Sequence, residues 1–312
     1  LPRTCTPRGK VDIGGFCSKS GDCLPGLYCI PDVIDLRKSV CAGGTPLQTE
    51  PISVPLWGGL PCPKDDDAAR AYFDVPRASA ASDFYRLPFP NDIRRSESGL
   101  DLSGHPSPPD DLAPQTVQRF LKESATLKGF STNPVVVFRF SKAIRTGDLS
   151  GSLRIVDISK GSPEYGQASS IAWGPSERRS NYACAHWLGV RRPADLPLRS
   201  NTTYAAIVSR SVRATGGGEF ARSPDLDALL SSERPGDATL GSAWDKYAPL
   251  RAYLSDARDM KTEDVLNASV FTTQDASGIV PRLRAAIEAD GVPALEDLTV
   301  CKDGVRSPCE DD

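Results

Sequence analysis

The spacing of the cysteines constrains the fold of this chain more than any other feature of its sequence. Six of the nine cysteines fall within the first 62 residues, in a segment rich in glycine, proline and aspartate. Loops this short bury too little apolar surface to offset the entropy lost on ordering, so cross-links must stabilise them. The sequence therefore predicts a disulfide-rich module made in an oxidising compartment. The predicted disulfide cysteines are Cys5, Cys17, Cys23, Cys29, Cys41 and Cys62, with Cys301 and Cys309 near the end of the chain.

The ninth cysteine, Cys184, is the odd one in this scheme. If three bridges close the head and Cys301 pairs with Cys309, Cys184 is left as a candidate free thiol in the core. The pairing within the head stays open, because spacing alone does not select one connectivity. A zinc knuckle is the alternative for the head, although that segment contains no histidine and no Cys-x-x-Cys pair.

Composition and charge exclude several classes of function. Hydrophobic residues make up 39% of the chain, and its 27 prolines and 26 glycines indicate many turns, as in extracellular β-proteins. The net charge is −3 and no long basic tract occurs, so no nucleic acid partner is expected. No apolar run reaches the roughly 18 residues of a membrane-spanning helix, so no transmembrane segment is expected.

Four segments differ in composition. Residues 1–45 are the disulfide-rich module, and residues 46–112 are proline-rich with many aromatics, which predicts a segment that wraps over a domain and packs there. Residues 113–295 alternate β-branched and turn-forming stretches, which predicts a β-sandwich with inserted peripheral helices. Residues 296–312 are predicted to be an acidic tail closed by its own disulfide.

Hydrophobic periodicity and capping residues place the individual elements. A helix is predicted from Pro114 to Leu127, and another is predicted to start at Ser223, with Pro224 in its first position. Two more helices are predicted over residues 242–256 and 280–289. The predicted strands cover residues 134–141, 152–158, 171–173, 182–190, 202–209 and 268–273.

Three stretches in order resemble one family. They are Tyr85–Asp92, which reads Tyr-Arg-Leu-Pro-Phe-Pro-Asn-Asp, then Leu198–Val208 and Val270–Gln274. These stretches are similar to the N-terminal domain of bacterial virulence-factor lipases and related Ig-like (Big_5-type) modules. The head is similar to short cysteine-rich segments of secreted proteins from myxobacteria. The resemblance implies a mainly β, Ig-like β-sandwich on a bacterial protein that is secreted, periplasmic or exposed on the outer membrane.

Catalytic residues are not assigned. In those lipases the domain precedes a hydrolase domain, but this sequence has no Gly-x-Ser-x-Gly nucleophile elbow, so lipase activity is not carried over. His105 lies in a Gly-His-Pro loop, which favours a solvent-facing or turn residue over a triad member. On a strand, Cys184 and His186 would share a face, so a metal site or a Cys–His nucleophile pair is the alternative to a core cysteine.

Two further motifs are left with open alternatives. The acidic runs at residues 65–67, 110–111 and 310–312 are expected to be solvated turns, and a weak Ca2+ site is the alternative. No other cofactor is expected. Asn201 and Asn267 begin acceptor sequons for N-glycosylation, and the sequence does not decide whether either is used.

These features predict an exported, non-enzymatic β-sandwich protein for adhesion, assembly or surface display. Such a structural protein, a subunit of an extracellular structure, would bind protein partners or assemble with itself. The alternative is the non-catalytic N-terminal domain of a secreted lipase or esterase. A gene that continues past Asp312 into a hydrolase sequence favours the alternative, whereas large oligomers favour the first hypothesis.

Overall fold

The structure is a computed structural model that describes residues 9–18, 22–24, 27–31, 38–43, 57–77, 83–108, 116–149 and 151–291. Predictions for Cys5, Cys301, Cys309, Asp110–Asp111 and the acidic tail lie outside these residues. The chain divides into two compact units, Leu1–Leu56 and Trp57–Asp312. The first unit extends beyond the predicted boundary at residue 45, and the proline-rich residues from Trp57 onward belong to the second unit.

The first unit contains a short antiparallel hairpin. Strand β1 (Leu27–Pro31) pairs with strand β2 (Ser39–Gly43). The side chains of Cys23 and Cys41 are buried in this unit. Cross-links stabilise a module this small by restricting its unfolded chain. Among its described residues, disulfides join Cys17 to Cys29 and Cys23 to Cys41.

The second unit contains two antiparallel three-stranded sheets. Sheet 1 has the spatial order β3 (Val136–Arg139), β6 (Trp187–Arg191) and β5 (Ala172–Ser176). Sheet 2 has the spatial order β4 (Leu153–Asp157), β7 (Thr203–Ser209) and β8 (Val265–Thr272).

Five helices accompany the strands in the described part of the second unit. Helical and strand residues are about equally numerous, so the chain is a mixed α and β structure and the expected mainly-β composition is not observed. The helices are α1 (Thr116–Ala125), α2 (Pro224–Leu230), α3 (Ala238–Lys246), α4 (Ala248–Asp256) and α5 (Ile279–Ala289).

The buried hydrophobic side chains of these elements form two clusters. One cluster contains side chains of both sheets, among them Phe138 and Leu188 of sheet 1 and Ile155 of sheet 2. The other contains the opposite face of sheet 2, including Ile207, packed against helices α2, α3 and α4. Sheet 2 is therefore covered on both faces, which explains why β7 reads as the nearly continuous apolar run Tyr-Ala-Ala-Ile-Val.

The predicted helix over residues 242–256 is two helices. Helix α3 ends at Lys246, Tyr247 has non-helical backbone angles, and α4 starts at Ala248. Pro249 explains the break, because it has no backbone N–H to donate to the carbonyl four residues earlier and its ring clashes with that carbonyl, whereas proline is tolerated in the first turn of α4. The predicted start at Ser223 and Pro224 is confirmed for α2.

Residues 57–77 and 83–108 supply side chains to the interior of the second unit. Tyr72, Phe73 and Phe84 are at most 3% exposed. Phe89 forms a backbone bridge with Val137 of β3, which extends sheet 1 past this edge strand. Proline-rich sequence without regular strands therefore contributes to the core.

Candidate functional site

The structure pairs Cys184 with Cys62 across 122 residues of sequence. The expected free thiol at Cys184, and a head that closes all six of its cysteines on themselves, are therefore not observed. The N–H of Leu60 donates to the carbonyl of Asn181 at 2.9 Å, so this backbone contact brings the two cysteines together. A contact between residues so far apart in sequence leaves no local pattern from which it can be predicted.

His186 does not share a strand face with Cys184. Strand β6 begins only at Trp187, and His186 has a left-handed φ of 61° just before it. Its Nδ1 is buried without a hydrogen-bond partner among the described residues, and the sulfur of Cys184 is held in the disulfide. Cys184 and His186 are therefore not placed on one face by a strand, and the predicted two-residue metal site or Cys–His nucleophile pair is not formed in this way.

His105 packs on aromatic side chains and is only partly exposed to solvent. Its ring centroid lies 5.0 Å from that of Phe84, and its Nδ1 lies 3.0 Å from the carbonyl oxygen of Pro106. Burial lowers the pKa of His105, and the charge of Arg94 lowers it further, so the imidazole is mostly neutral at pH 7. Neither histidine hydrogen-bonds to a serine hydroxyl in the part of the chain that the structure describes.

The first acidic run takes part in ion pairs. Asp65 accepts a hydrogen bond from Nη2 of Arg139 at 2.8 Å and one from the hydroxyl of Tyr72 at 3.3 Å. The two aspartates that follow pair with Arg70 and Lys64. Asp65 is therefore the counter-ion of a buried arginine, and its role differs from that of the solvated turn predicted there.

Three cysteine sulfurs of the first unit lie close enough to act as a ligand set. Within the described ranges, this is the only group of three or more potential metal ligands whose donor atoms converge within 4.8 Å. Both disulfides of the unit run through it, and a disulfide sulfur is not the thiolate that zinc requires. The three residues are Cys17, Cys23 and Cys41.

The two sequons differ in accessibility. Asn267 is fully buried, and its Nδ2 donates to the carbonyl of Tyr72 at 2.9 Å. A glycan on Asn267 is therefore incompatible with the folded chain. Asn201 is exposed in a turn with a φ of 52°, so only this sequon is accessible.

The Pro-Asn-Asp end of the motif at residues 85–92 connects the wrapping segment to the last strand and to the helices. Asn91 donates from Nδ2 to the hydroxyl of Tyr247 at 2.8 Å, and that hydroxyl donates to the carbonyl of Ala268 in β8 at 3.1 Å. Asn91 also caps the next turn by accepting from the N–H of Ile93 at 3.1 Å. Burial raises the pKa of Tyr247 far above its usual value, so the phenol remains protonated and can donate.

Asp92 extends the same connection. Its carboxylate accepts from the backbone N–H and the hydroxyl of Thr272 at 3.0 and 2.6 Å, and from Nε of Arg95 at 2.6 Å. The hydroxyl of Ser269 donates to the carbonyl of Pro90. Each of these contacts lies within the fold, so the motif that carries the family resemblance has a structural role here.

We expect Tyr247→Phe to lower the free energy of unfolding by about 1–3 kcal/mol, because it leaves the buried Asn91 amide and the Ala268 carbonyl without their partner. Denaturant unfolding measures the loss. Tyr165→Phe removes a hydroxyl that meets Asp256 at the surface, so it is the matched control with little expected change. Equal midpoints for Tyr247→Phe and the native chain would contradict this role for the motif.

Helix α5 carries four large aliphatic side chains that are exposed in the described part of the chain. Every residue of α5 is exposed and none is buried. Apolar side chains at a spacing of three and four residues form a stripe along one side of a helix. The exposed large side chains are Ile279 (68%), Val280 (67%), Leu283 (61%) and Ile287 (57%).

The length and charge of α5 both call for a partner. At 11 residues it is shorter than the roughly 12–15 residues at which isolated helices become marginally stable in water. Arg282 and Arg284 lie in its first half, whereas Glu288 and Asp290 lie at its end. This order opposes the helix dipole, which favours acids at the start and bases at the end.

The comparisons with known proteins do not assign the chain to a family: no family model matches it, and no curated protein matches it significantly. Within the described ranges, no helix is long and apolar enough to cross a membrane. The function must therefore be argued from the surfaces and contacts above.

Proposed function

We propose that this chain is an exported, non-catalytic structural protein that assembles through α5, with a second copy of itself as the partner. The observation that carries the proposal is the stripe of four large aliphatic side chains on α5, each at least 57% exposed. Exposed apolar patches of this kind mark interaction sites on soluble proteins. The three disulfides between described residues support export, since such bonds persist in oxidising compartments.

The charge pattern of α5 is complementary to itself in an antiparallel pair. A two-fold axis near Ala286 places Arg282 of one copy opposite Asp290 of the other, and Arg284 opposite Glu288. The same axis overlaps the Leu283–Ile287 half of the two stripes, with the small Ala286 at the centre, and leaves Ile279 and Val280 outside the overlap. A parallel pair would instead place like charges side by side. The isologous, antiparallel dimer is therefore the assembly we propose.

The proposal includes an Ig-like arrangement of the two sheets. Their shared hydrophobic cluster supports it, as does Tyr204, whose hydroxyl accepts from the backbone N–H of Arg199 at 3.1 Å. A tyrosine that bonds back to the backbone a few residues upstream is a hallmark of Ig-like sandwiches. Tyr204 lies in the second of the three stretches that resemble the Big_5-type family.

We expect the native chain to be a dimer at micromolar concentration and Leu283→Glu/Ile287→Glu to be a monomer, because four carboxylates, two from each copy, would be buried at the interface. Sedimentation equilibrium or light scattering after gel filtration measures the mass. The matched control is Ala285→Glu/Ala289→Glu, which adds the same charge at the same spacing on the other side of α5 and should remain dimeric.

Charge reversal tests the orientation of the pair. Arg282→Asp and Asp290→Arg should each weaken the dimer, and the double variant should recover it, since both cross-dimer contacts are restored. A native chain that stays monomeric at roughly 100 μM would overturn self-assembly. Exposure of α5 in such a monomer would favour the alternative, in which α5 packs on the hydrolase domain of a secreted lipase or esterase.

A further inference from the structure

A cavity of about 260 Å³ lies beside α3, next to the turn that follows the Pro-Asn-Asp motif. Val75, Ile93 and Ala243 form an apolar wall, and Thr239 and Ser242 of α3 add hydroxyl groups. Small-molecule sites commonly combine an apolar lining with a few polar groups that orient the ligand. This cavity has that composition, and it does not involve α5.

Arg94 lines the cavity, and its charge is poorly compensated. The side chain is only 6% exposed, and its Nε–H is buried with no hydrogen-bond partner among the described residues. Its Nη1 donates to the backbone carbonyls of Asp101 and Ser103 at 3.4 and 3.3 Å, which are long contacts for a guanidinium. Burial lowers the pKa of Arg94, and the charge of Asp101 only partly opposes this effect.

The remaining charges around the cavity leave it positive. Asp101, the nearest carboxylate to Arg94, lies 3.7 Å from Nη1 and is 55% exposed, so water screens much of its charge. Lys246, at the end of α3, also lines the cavity and has no ion-pair partner in the described part of the chain. Two cations against one solvated carboxylate leave a net charge of about +1, which matches a monoanion.

We propose that this cavity binds a small monocarboxylate with an apolar body, such as a short-chain or aromatic acid. The carboxylate meets Arg94 and Lys246, with the hydroxyl of Ser242 as a further donor. The apolar body lies against Val75 and Ile93. An anionic ligand offsets the free-energy cost of desolvating Arg94, because it is a close counter-ion and the fold itself provides none.

Titration calorimetry with benzoate and hexanoate, each against its neutral amide, tests the proposal on the native chain. Both carboxylates are expected to bind at least tenfold more tightly than benzamide or hexanamide. Lys246→Met and Arg94→Met are each expected to weaken carboxylate binding by threefold or more. Lys246→Met is expected to leave folding undisturbed, since Lys246 is partly exposed and contributes to no described ion pair.

Two further variants separate binding in the cavity from a general charge effect. Ser242→Leu fills the cavity from an exposed helix position and is expected to abolish binding without a loss of stability. Lys261→Met removes an exposed lysine away from the cavity and should leave the affinity unchanged. Equal affinity for acid and amide, binding that survives Ser242→Leu, or phosphate that binds as tightly as hexanoate would each overturn the proposal.

Discussion

Arg139→Leu is expected to lower the free energy of unfolding of the second unit by about 3–5 kcal/mol, because it leaves a buried carboxylate without its counter-ion. Arg139 is 1% exposed and donates from Nε to Asp83 at 2.9 Å, and the Asp83 side chain is fully buried. A second bond, from Nη2 to Asp65, joins the proline-rich segment to β3. Thermal unfolding should show a fall in melting temperature on the order of 10 °C.

Double substitution separates the unpaired charge from the loss of packing. Arg139→Leu/Asp83→Leu removes both charges and should recover much of the stability, although the cap that Asp83 provides to the N–H of Tyr85 is lost. Arg234→Leu is the matched control, because it breaks a two-point pair with Asp245 at the surface, where little change is expected. If the double variant is no more stable than Arg139→Leu, the buried charge is not the cause.

Cys62→Ala/Cys184→Ala is expected to lower the free energy of unfolding by about 3–5 kcal/mol under oxidising conditions. The bond closes a loop of 122 residues, and the entropy that a cross-link removes from the unfolded chain grows with the loop. Denaturant unfolding without reductant measures the difference from the native chain. The double variant avoids leaving one unpaired thiol that could react with other cysteines.

Peptide mapping under non-reducing conditions checks the bond directly. Digestion should release one peptide pair that joins the sequences around Cys62 and Cys184, and reductant should separate it. The same reductant should destabilise the second unit of the native chain but not that of the double variant. A free thiol at Cys184 in the purified, oxidised protein would contradict this pairing and restore the expectation from the cysteine count.

The strands of the second unit were predictable because their signals are local. The segment 202–209 was predicted as a strand and is observed as β7 over Thr203–Ser209, since a strand buried on both faces must be apolar throughout. The start of α2 was predictable from Ser223 and Pro224, because the backbone preferences of these two residues act locally. The strand predicted over residues 182–190 starts too early. Strand β6 begins at Trp187, because His186 has a left-handed backbone and belongs to the preceding loop.

The candidate surfaces were less predictable. The helix at 280–289 was expected, but its complete exposure was not, because amphipathic spacing is the same whether or not a partner covers the apolar side. Arg94 gave no signal in the sequence, where it is one arginine among many. Only the folded chain buries the Arg94 side chain, whose guanidinium lies 4.1 Å from the ring centroid of Phe84.

Sequence alone established a cysteine-rich, cross-linked beginning followed by strands and helices in a recognisable order. Those features depend on residues within about ten positions of one another, where backbone preference and periodicity operate. Tertiary structure alone decided that Cys62 meets Cys184, that Asp83 neutralises Arg139, and that a positive cavity opens beside α3. Such contacts depend on the path of the whole chain, because residues far apart in sequence meet only after the sheets have packed.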